Sequence, residues 1–158
     1  FARIALAPTG YGHFFIEHNR GHHVRVATPD DPASSRLGET FWAFLPRTAI
    51  GSLRSAWALE RNRLRRMGTP ILSPRNDVLN AWAMSIVVWG ALLGAFGLGI
   101  APYLVIQAVF GFALLEAVNY LEHYGLVRQQ LPNGRWERVG PQHSWNNNNT
   151  VTNLFLYH

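Results

Sequence analysis

The chain has 158 residues, of which 48% are hydrophobic and 15% charged, a length sufficient for one ordinary domain. Its formal net charge is +5, every basic residue is an arginine, and cysteine is absent. Disulfides and thiolate metal sites are therefore excluded, and any metal would have to bind through histidine, carboxylate or water.

Charge is distributed unevenly along the chain. Residues 78–115 contain no Asp, Glu, Lys or Arg. An uncharged run of this length is too long for a buried soluble helix and suits two membrane crossings of about 20 residues each. The chain begins at Phe1 without a methionine, ends at His158 without a tail and carries no signal-peptide pattern. We therefore expect an internal piece of a longer membrane protein.

Two helical segments are predicted before the uncharged run. Residues 9–12 are typical of a turn, and a helical pattern follows over residues 13–23. A second, amphipathic helix is predicted over residues 39–67, with Pro46 breaking or kinking its start. Its apolar side is assigned to four residues near helical spacing: Ile50, Leu53, Trp57 and Leu64. Such a helix either lies in the membrane interface or caps a soluble surface, and the pattern leaves both open.

Two membrane-spanning helices are predicted over residues 79–98 and 103–124, with Gly97, Gly99 and Pro102 in the reversal between them. A hairpin of two spans returns the chain to the side of the membrane that it left. The predicted fold class is therefore all-α: an integral membrane helical bundle, with one transmembrane helical hairpin plus cytoplasmic or interfacial helices.

The chain divides into three parts on this interpretation: residues 1–77, the spans in residues 78–124, and residues 125–158. The first and last parts are expected on one face of the lipid bilayer. Seven arginines fall within residues 47–75, and the positive-inside tendency makes that face cytoplasmic. A basic cluster beside a span is typical of contact with anionic headgroups, so we expect no nucleic-acid partner.

Three histidines form an H-x-x-x-H-H cluster in the first helical segment. On a helix His18 and His22 lie on one face, where both can bind one metal ion. His23 is rotated by about 100° and can reach a second ion. Imidazole binds Zn, Cu, Fe and Ni, so the spacing does not select the metal. The alternative is three surface histidines beside two arginines.

A second polar group lies at the end of the second predicted span: Glu116, Asn119, Glu122 and His123. Ionisable groups at membrane depth are costly and are usually functional or paired. The spacing of Glu116, Asn119 and His123 places them on one helix face, which we expect to point into the bundle. The alternative is a structural hydrogen-bonded pair.

Three residues are candidates for orienting the metal ligands by hydrogen bonding to them, without contacting the metal themselves: Glu17, Asn119 and Glu122. Glu17 and Glu122 each directly precede a histidine, so they either orient it or pair with nearby arginines, Arg20 and Arg128.

The three remaining histidines are His13, His143 and His158. They stand outside these spacings, and we expect them not to be ligands.

The motifs resemble those of the bacterial alkane 1-monooxygenases. Residues 17–23, E-H-N-R-G-H-H, and the run through Arg36 resemble the second histidine box of that family. Residues 119–125 resemble its N-Y-x-E-H-Y-G motif. Residues 143–146 and 153–157 are similar to the stretch before its last box.

This resemblance implies a multi-pass protein of the bacterial inner membrane, with a di-iron site facing the cytoplasm. It implies hydroxylation of the terminal methyl group of n-alkanes by O2, with electrons from rubredoxin, and iron ligation by four residues here: His18, His22, His23 and His123. The first and third histidine boxes of the family are expected outside this chain, so the chain alone is expected to be inactive.

Two alternative functions remain at this point. A related histidine-box membrane oxygenase, of the xylene monooxygenase type, would use the same chemistry on another hydrocarbon. A non-enzymatic membrane protein with a structural metal site would have a closed ligand shell and no oxygen chemistry.

Overall fold

The computed structural model describes residues 2–145. Expectations for His158, for Asn146 and for residues 153–157 lie outside the described residues. Within residues 2–145 the regular structure is helical, and the single β-bridge joins Gln130 to Trp136. The predicted all-α class is confirmed.

The helices, in chain order, are α1 (Ala2–Leu6), α2 (Phe14–Glu17), α3 (His23–Arg25), α4 (Phe41–Arg66), α5 (Asp77–Phe96) and α6 (Ala101–His123). A π-helical turn over His18–His22 joins α2 to α3, and short 3₁₀ turns occupy Ala7–Thr9, Leu98–Ile100 and Pro141–His143.

Helices α5 and α6 form the predicted hairpin. The side chain of Asn76 caps α5 by accepting hydrogen bonds from the amides of Val78 and Leu79, at 3.0 and 3.1 Å. Gly97 ends α5 with a φ of +78°, a conformation that glycine adopts without strain. The predicted spans therefore agree with the observed helices within a few residues.

Both helices of the hairpin are long and apolar enough to cross a membrane. Only 17% and 11% of their most apolar windows are buried against the rest of the described chain. Core helices of a soluble protein would be mostly covered, and apolar patches of this extent are unfavourable in water. Hydrocarbon is the environment that suits their outward-facing side chains.

Residues 7–12 pack between α5 and α6, beside the spans rather than beyond their ends. The Trp89 indole donates a 2.9 Å hydrogen bond to the carbonyl of Pro8, about 18 Å along α5 from its start at 1.5 Å per residue. A Cβ atom at Gly111 would lie 2.7 Å from the Thr9 methyl, and one at Gly12 would lie 2.8 Å from Cβ of Ala81. Both glycines are needed for this close approach.

Helix α4 continues through Pro46, so of the two expected outcomes the break is wrong and the kink stays a prediction. Thr40 caps its start by accepting from the amide of Ala43 at 3.3 Å. The residue four before the proline is Trp42, whose carbonyl loses its helical hydrogen bond. Because Trp42 is 79% exposed, water or a lipid headgroup can take the place of the missing donor.

The buried face of α4 differs from the predicted one. Ile50 and Leu53 are 53% and 36% exposed, and of the four predicted apolar residues only Leu64 is buried. The buried stripe instead recurs every four residues: Phe44, Thr48, Ser52, Ala56, Glu60 and Leu64. Half of it is polar because α4 packs against the polar sides of the histidine-bearing segment and α6.

Glu60 joins three elements at the end of the hairpin. Its fully buried carboxylate accepts hydrogen bonds from Arg63 on α4, from Arg20 in the π-helical turn at 3.2 Å, and from the amide of Asp77 at 2.8 Å. Burial raises the pKa of Glu60, but the arginines and the amide outweigh it and lower the pKa overall. This network fixes the turn relative to both helices.

The hairpin topology can be tested with single cysteines in a cysteine-free version of the complete protein. Asn62 and Asn133 are exposed on the two flanking segments, and Leu98 is 80% exposed at the hairpin tip. With a membrane-impermeant maleimide, Asn62→Cys and Asn133→Cys should react from one side of the membrane and Leu98→Cys from the other. Reaction of the first two from opposite sides would contradict the hairpin.

Candidate metal centre

The three histidines of the first cluster lie around one π-helical turn. His18 and His22 stack with ring centroids 5.2 Å apart, and His23 meets His18 edge-on at 4.4 Å. A π-helical turn is rare and occurs frequently at functional sites. It gathers all three imidazoles on one side of the segment.

His123 completes the cluster from the end of α6. Its ring is 2% exposed and lies 4.8 Å from the ring of His22. These two residues are far apart in sequence, and they meet because the hairpin returns α6 to the level where α5 begins. The structure therefore brings together the four predicted ligands.

A buried aspartate orients His22. Oδ2 of Asp31 lies 2.9 Å from Nδ1 of His22 and also accepts a 2.6 Å hydrogen bond from Ser34. Burial lowers the pKa of His22, but the hydrogen bond and charge of Asp31 outweigh it and raise that pKa. Because Nδ1 is engaged, Nε2 is left to bind a metal, as in carboxylate–histidine–metal arrangements.

Asp31 was not identified as a functional residue from the sequence, and it lies in the loop between α3 and α4. The loop is built around it: Ser34 also accepts from the amide of Ala27, which has the unfavourable φ of +56°. The sequence did contain one signal for this role: a carboxylate in a proline-containing turn shortly after the histidines.

The His143 backbone orients His123. Nδ1 of His123 lies 3.2 Å from the carbonyl oxygen of His143, so the ring donates there. Nε2 of His123 is buried with no hydrogen-bond partner among residues 2–145, and the nearest carboxylate oxygen, on Glu122, is 3.9 Å away. Nε2 thus carries the lone pair that a metal would use.

The His143 imidazole is occupied elsewhere. Its Nδ1 accepts from the amide of Gly140 at 2.9 Å and its Nε2 lies 3.1 Å from Glu137. Both ring nitrogens of His143 therefore have partners, and the expectation that His143 is not a ligand stays a prediction.

The polar face of α6 points inward as predicted, with Glu116, Asn119 and His123 all buried. Glu116 accepts hydrogen bonds from the Tyr11 hydroxyl at 2.8 Å and from Thr48 at 2.9 Å. The Asn119 amide donates to the same carboxylate at 3.2 Å. Asn119 therefore contacts Glu116, and this pair ties α6 to α4 and to the start of the histidine-bearing segment.

Glu17 lies against the outer side of the π-helical turn and is fully buried. It accepts from Arg25 at 2.8 Å and from Ser55 at 3.2 Å, so the alternative pairing with Arg20 is not formed. A Cβ atom at Gly21 would lie within 2.4 Å of this carboxylate, which explains the glycine. Burial and the charge of Asp31 raise the pKa of Glu17.

His13 is separate from the cluster. Its ring packs edge-on against Tyr11 at 4.6 Å and is 5% exposed. Burial lowers its pKa to about 4, so the ring is neutral at physiological pH. Both ring nitrogens are buried and lack a hydrogen-bond partner among residues 2–145.

The donor set suits a metal but does not form a complete shell. Across residues 2–145 no three His, Asp or Glu side chains are spaced to hold an ion by themselves. The four imidazoles nevertheless converge, and two of them are held by Nδ1 with Nε2 available for a metal, the pattern of metal-binding histidines.

These features define an all-helical protein with a membrane-type hairpin and a histidine cluster where the hairpin meets the flanking segments. The chain belongs to the fatty acid desaturase family, whose model matches residues 1–158. That family assignment agrees with the histidine-box resemblance of the sequence.

The chain is similar to alkane 1-monooxygenases and, at lower identity, to a xylene/toluene monooxygenase. The chain is 55% identical to alkane 1-monooxygenase of Acinetobacter baylyi, covering 99% of the chain and 38% of the relative. It is 50% identical to alkane 1-monooxygenase 1 of Alcanivorax borkumensis, covering 99% and 39%. Identity is 28% to a xylene/toluene monooxygenase hydroxylase component of Pseudomonas putida, over 86% of the chain and 36% of the relative.

The predicted resemblance to alkane 1-monooxygenases is confirmed by these identities. The chain spans about two fifths of the length of the curated relatives that it matches.

The contact between Asp31 and His22 can be tested by neutralising the aspartate. Asp31→Asn in the complete protein should weaken metal binding by about 10–100-fold, the usual range for residues that orient metal ligands. Asp30→Asn is the matched control, because its side chain is exposed beside the same turn. Chelator competition measures both variants, and equal affinities would show that Asp31 does not support the site.

Proposed function

We propose that the complete protein hydroxylates the terminal methyl group of n-alkanes to primary alcohols with O2, at a di-iron centre ligated by histidine. Rubredoxin is the proposed electron donor. One structural observation carries the proposal: four imidazoles from two distant segments converge at the end of a membrane-type hairpin. The alkane 1-monooxygenases that resemble this chain support the choice of substrate.

Four residues are the proposed iron ligands: His18, His22, His23 and His123. Further ligands are expected from segments beyond this chain, since four imidazoles do not complete two coordination shells. When bound, the iron pair supplies the activation of O2, which amino-acid side chains cannot provide. Asp31 and the His143 carbonyl orient the rings of His22 and His123.

The buried carboxylates have a second proposed role beside orientation. Imidazole ligands are neutral, so they do not offset the charge of two metal ions. Glu17 and Asp31 are buried beside the cluster, and Glu122 lies 3.9 Å from Nε2 of His123. A cation at the cluster favours the charged form of these carboxylates, including Glu17, and their negative charges in turn lower the cost of holding it in a largely desolvated site.

An aromatic stack leads from the histidines toward the middle of the hairpin. Phe14 stacks on His18 at 4.9 Å, Tyr11 on Phe14 at 5.7 Å, and Phe112 of α6 on Tyr11 at 5.4 Å. This apolar wall suits an alkyl chain that enters from the membrane, and it helps to exclude water from the reacting carbon.

The proposed location is the bacterial inner membrane, with the site on the cytoplasmic face. The arginines of α4 and the following loop support this orientation, and several of them are exposed: Arg54, Arg61, Arg65, Arg66 and Arg75.

A xylene-type monooxygenase is the second candidate, favoured by the 28% identical relative. The two candidates share the histidine chemistry and differ in the hydrocarbon. Assays of the complete protein with octane and with xylene in parallel distinguish them, and we expect faster turnover of octane.

Changing each proposed ligand singly to alanine should remove most bound iron and abolish octane hydroxylation. His13→Leu is the matched control, because it replaces an imidazole without hydrogen-bond partners by an apolar side chain and should leave iron in place. Iron content per protein and octanol formation measure both effects. Loss of iron in His13→Leu together with retention in His123→Ala would refute the ligand assignment.

Glu122 is expected to affect turnover more than metal content. Glu122→Gln keeps the shape of the side chain and removes its charge beside His123, so we expect measurable iron but much slower octane oxidation. Asp30→Asn again provides an exposed carboxylate as control, where substitutions are usually within about 0.5 kcal/mol of neutral in stability. If Glu122→Gln equals the unaltered protein in iron and in rate, Glu122 has no functional role.

A further inference from the structure

A groove outside the histidine cluster lies between the loop that contains Asp31 and the outer side of α4. Its volume is about 560 Å³, within the range of small-molecule sites. Its walls combine apolar and cationic side chains, chiefly Pro32, Pro46, Ile50, Arg36, Arg47 and Arg54. We call it the arginine groove.

Two of the three arginines in the arginine groove are available to a ligand. Arg47 is already engaged, with Glu39 at 2.7 Å and with the carbonyls of Pro32 and Ser34 at 3.1 Å. Arg36 and Arg54 are exposed and make no ion pair with a carboxylate in residues 2–145. Two carboxylates also line the groove. Asp30 would repel a bound anion, whereas the Asp31 carboxylate is hydrogen-bonded to His22.

The arginine groove is tied to the end of the second span. The Ser35 hydroxyl donates to the carbonyl of Tyr120 at 2.6 Å, and the Tyr120 hydroxyl donates to the carbonyl of Glu39 at 2.6 Å. The amide of Gly38 donates to the Tyr124 hydroxyl at 2.9 Å. The loop is therefore held at the level where α6 leaves the hydrocarbon, which is the level of lipid headgroups.

Exposed apolar side chains accompany the arginine groove. Ile50, which is 53% exposed, lines it, and Leu37 and Trp42, which are 82% and 79% exposed, are sequence neighbours of the lining residues Arg36 and Ala43. We call these three side chains the apolar rim. Tryptophan is enriched at the membrane–water interface, and leucine and isoleucine beside arginine are typical of interfacial surfaces. A soluble acidic protein would match the arginines and would leave these three side chains in water.

We propose that the arginine groove binds the phosphate of one anionic phospholipid of the cytoplasmic leaflet, with Arg36 and Arg54 as its donors. Guanidinium groups bind phosphate oxygens through paired N–H donors. The phosphate of a zwitterionic headgroup is a less favourable ligand, because the ammonium of the same headgroup repels the arginines. The acyl chains lie along the exposed apolar rim. The bound lipid fixes the loop that carries Asp31 against the membrane surface.

Native mass spectrometry of the complete protein, with phosphatidylglycerol or phosphatidylcholine added in detergent, tests this site. One phosphatidylglycerol should remain bound where phosphatidylcholine is lost. The double variant R36Q/R54Q should bind phosphatidylglycerol roughly 30-fold more weakly, from the usual contribution of two basic residues at an anionic surface. R135Q/R138Q, which removes the same charge from exposed positions of the tail, should retain it.

Inorganic phosphate and an acidic protein are the two other ligands that could occupy the arginine groove, and each can be distinguished from the lipid. Phosphate at millimolar concentration should not displace the lipid, since the rim contributes to binding. Displacement by phosphate, or equal loss in both double variants, would overturn the lipid site. Retention of lipid by R36Q/R54Q together with loss of binding to an acidic electron-donor protein would assign the groove to that protein instead. None of these readouts depends on hydroxylation.

Discussion

A carboxylate taken out of water must find hydrogen-bond donors inside the protein, and this requirement fixes how the described helices meet. Glu60 joins α4 to the start of α5 and, through Arg20, to the π-helical turn. Glu116 joins α6 to α4 and to Tyr11. Asp31 joins the following loop to the histidine cluster. The π-helical turn and α6, which bear histidines of the cluster, are therefore each held by a buried carboxylate. If either element moved, that carboxylate would lose hydrogen-bond donors.

One of these carboxylates also contacts the histidine cluster directly: Asp31 engages Nδ1 of His22, while the rings of His18, His22, His23 and His123 lie next to one another. Asp31 and the His143 carbonyl each engage an Nδ1 atom, so His22 and His123 both have Nε2 available for a metal. Under the proposed function, the metal is bound by neutral imidazoles, and the negative charges lie on side chains that contact the imidazoles rather than the metal. The exposed arginines of α4 lie outside this layer: Arg54, Arg61, Arg65 and Arg66.

The sequence predicted the parts of this arrangement that follow from long patterns. The uncharged run predicted the hairpin, and the hairpin predicted that the two histidine groups lie on the same side of the membrane, where they are free to meet. The buried side of α4 was predicted wrongly, because hydrophobicity favoured Ile50 and Leu53 whereas the neighbouring elements required hydrogen-bonding partners. Asp31 was missed for a related reason: its role depends on a loop conformation that residue spacing does not encode. The packing of residues 7–12 between the spans likewise depends on close contacts at two glycines.

Under the proposed function, histidines alone ligate iron and the buried carboxylates stay outside the coordination shell. Iron K-edge X-ray absorption of the complete, iron-loaded protein tests it most directly, because imidazole rings give a characteristic outer-shell scattering pattern. The predicted spectrum shows several imidazole nitrogens per iron and no carboxylate bridge. A shell dominated by carboxylate oxygens, or a short distance between two irons bridged by a carboxylate, would contradict the account.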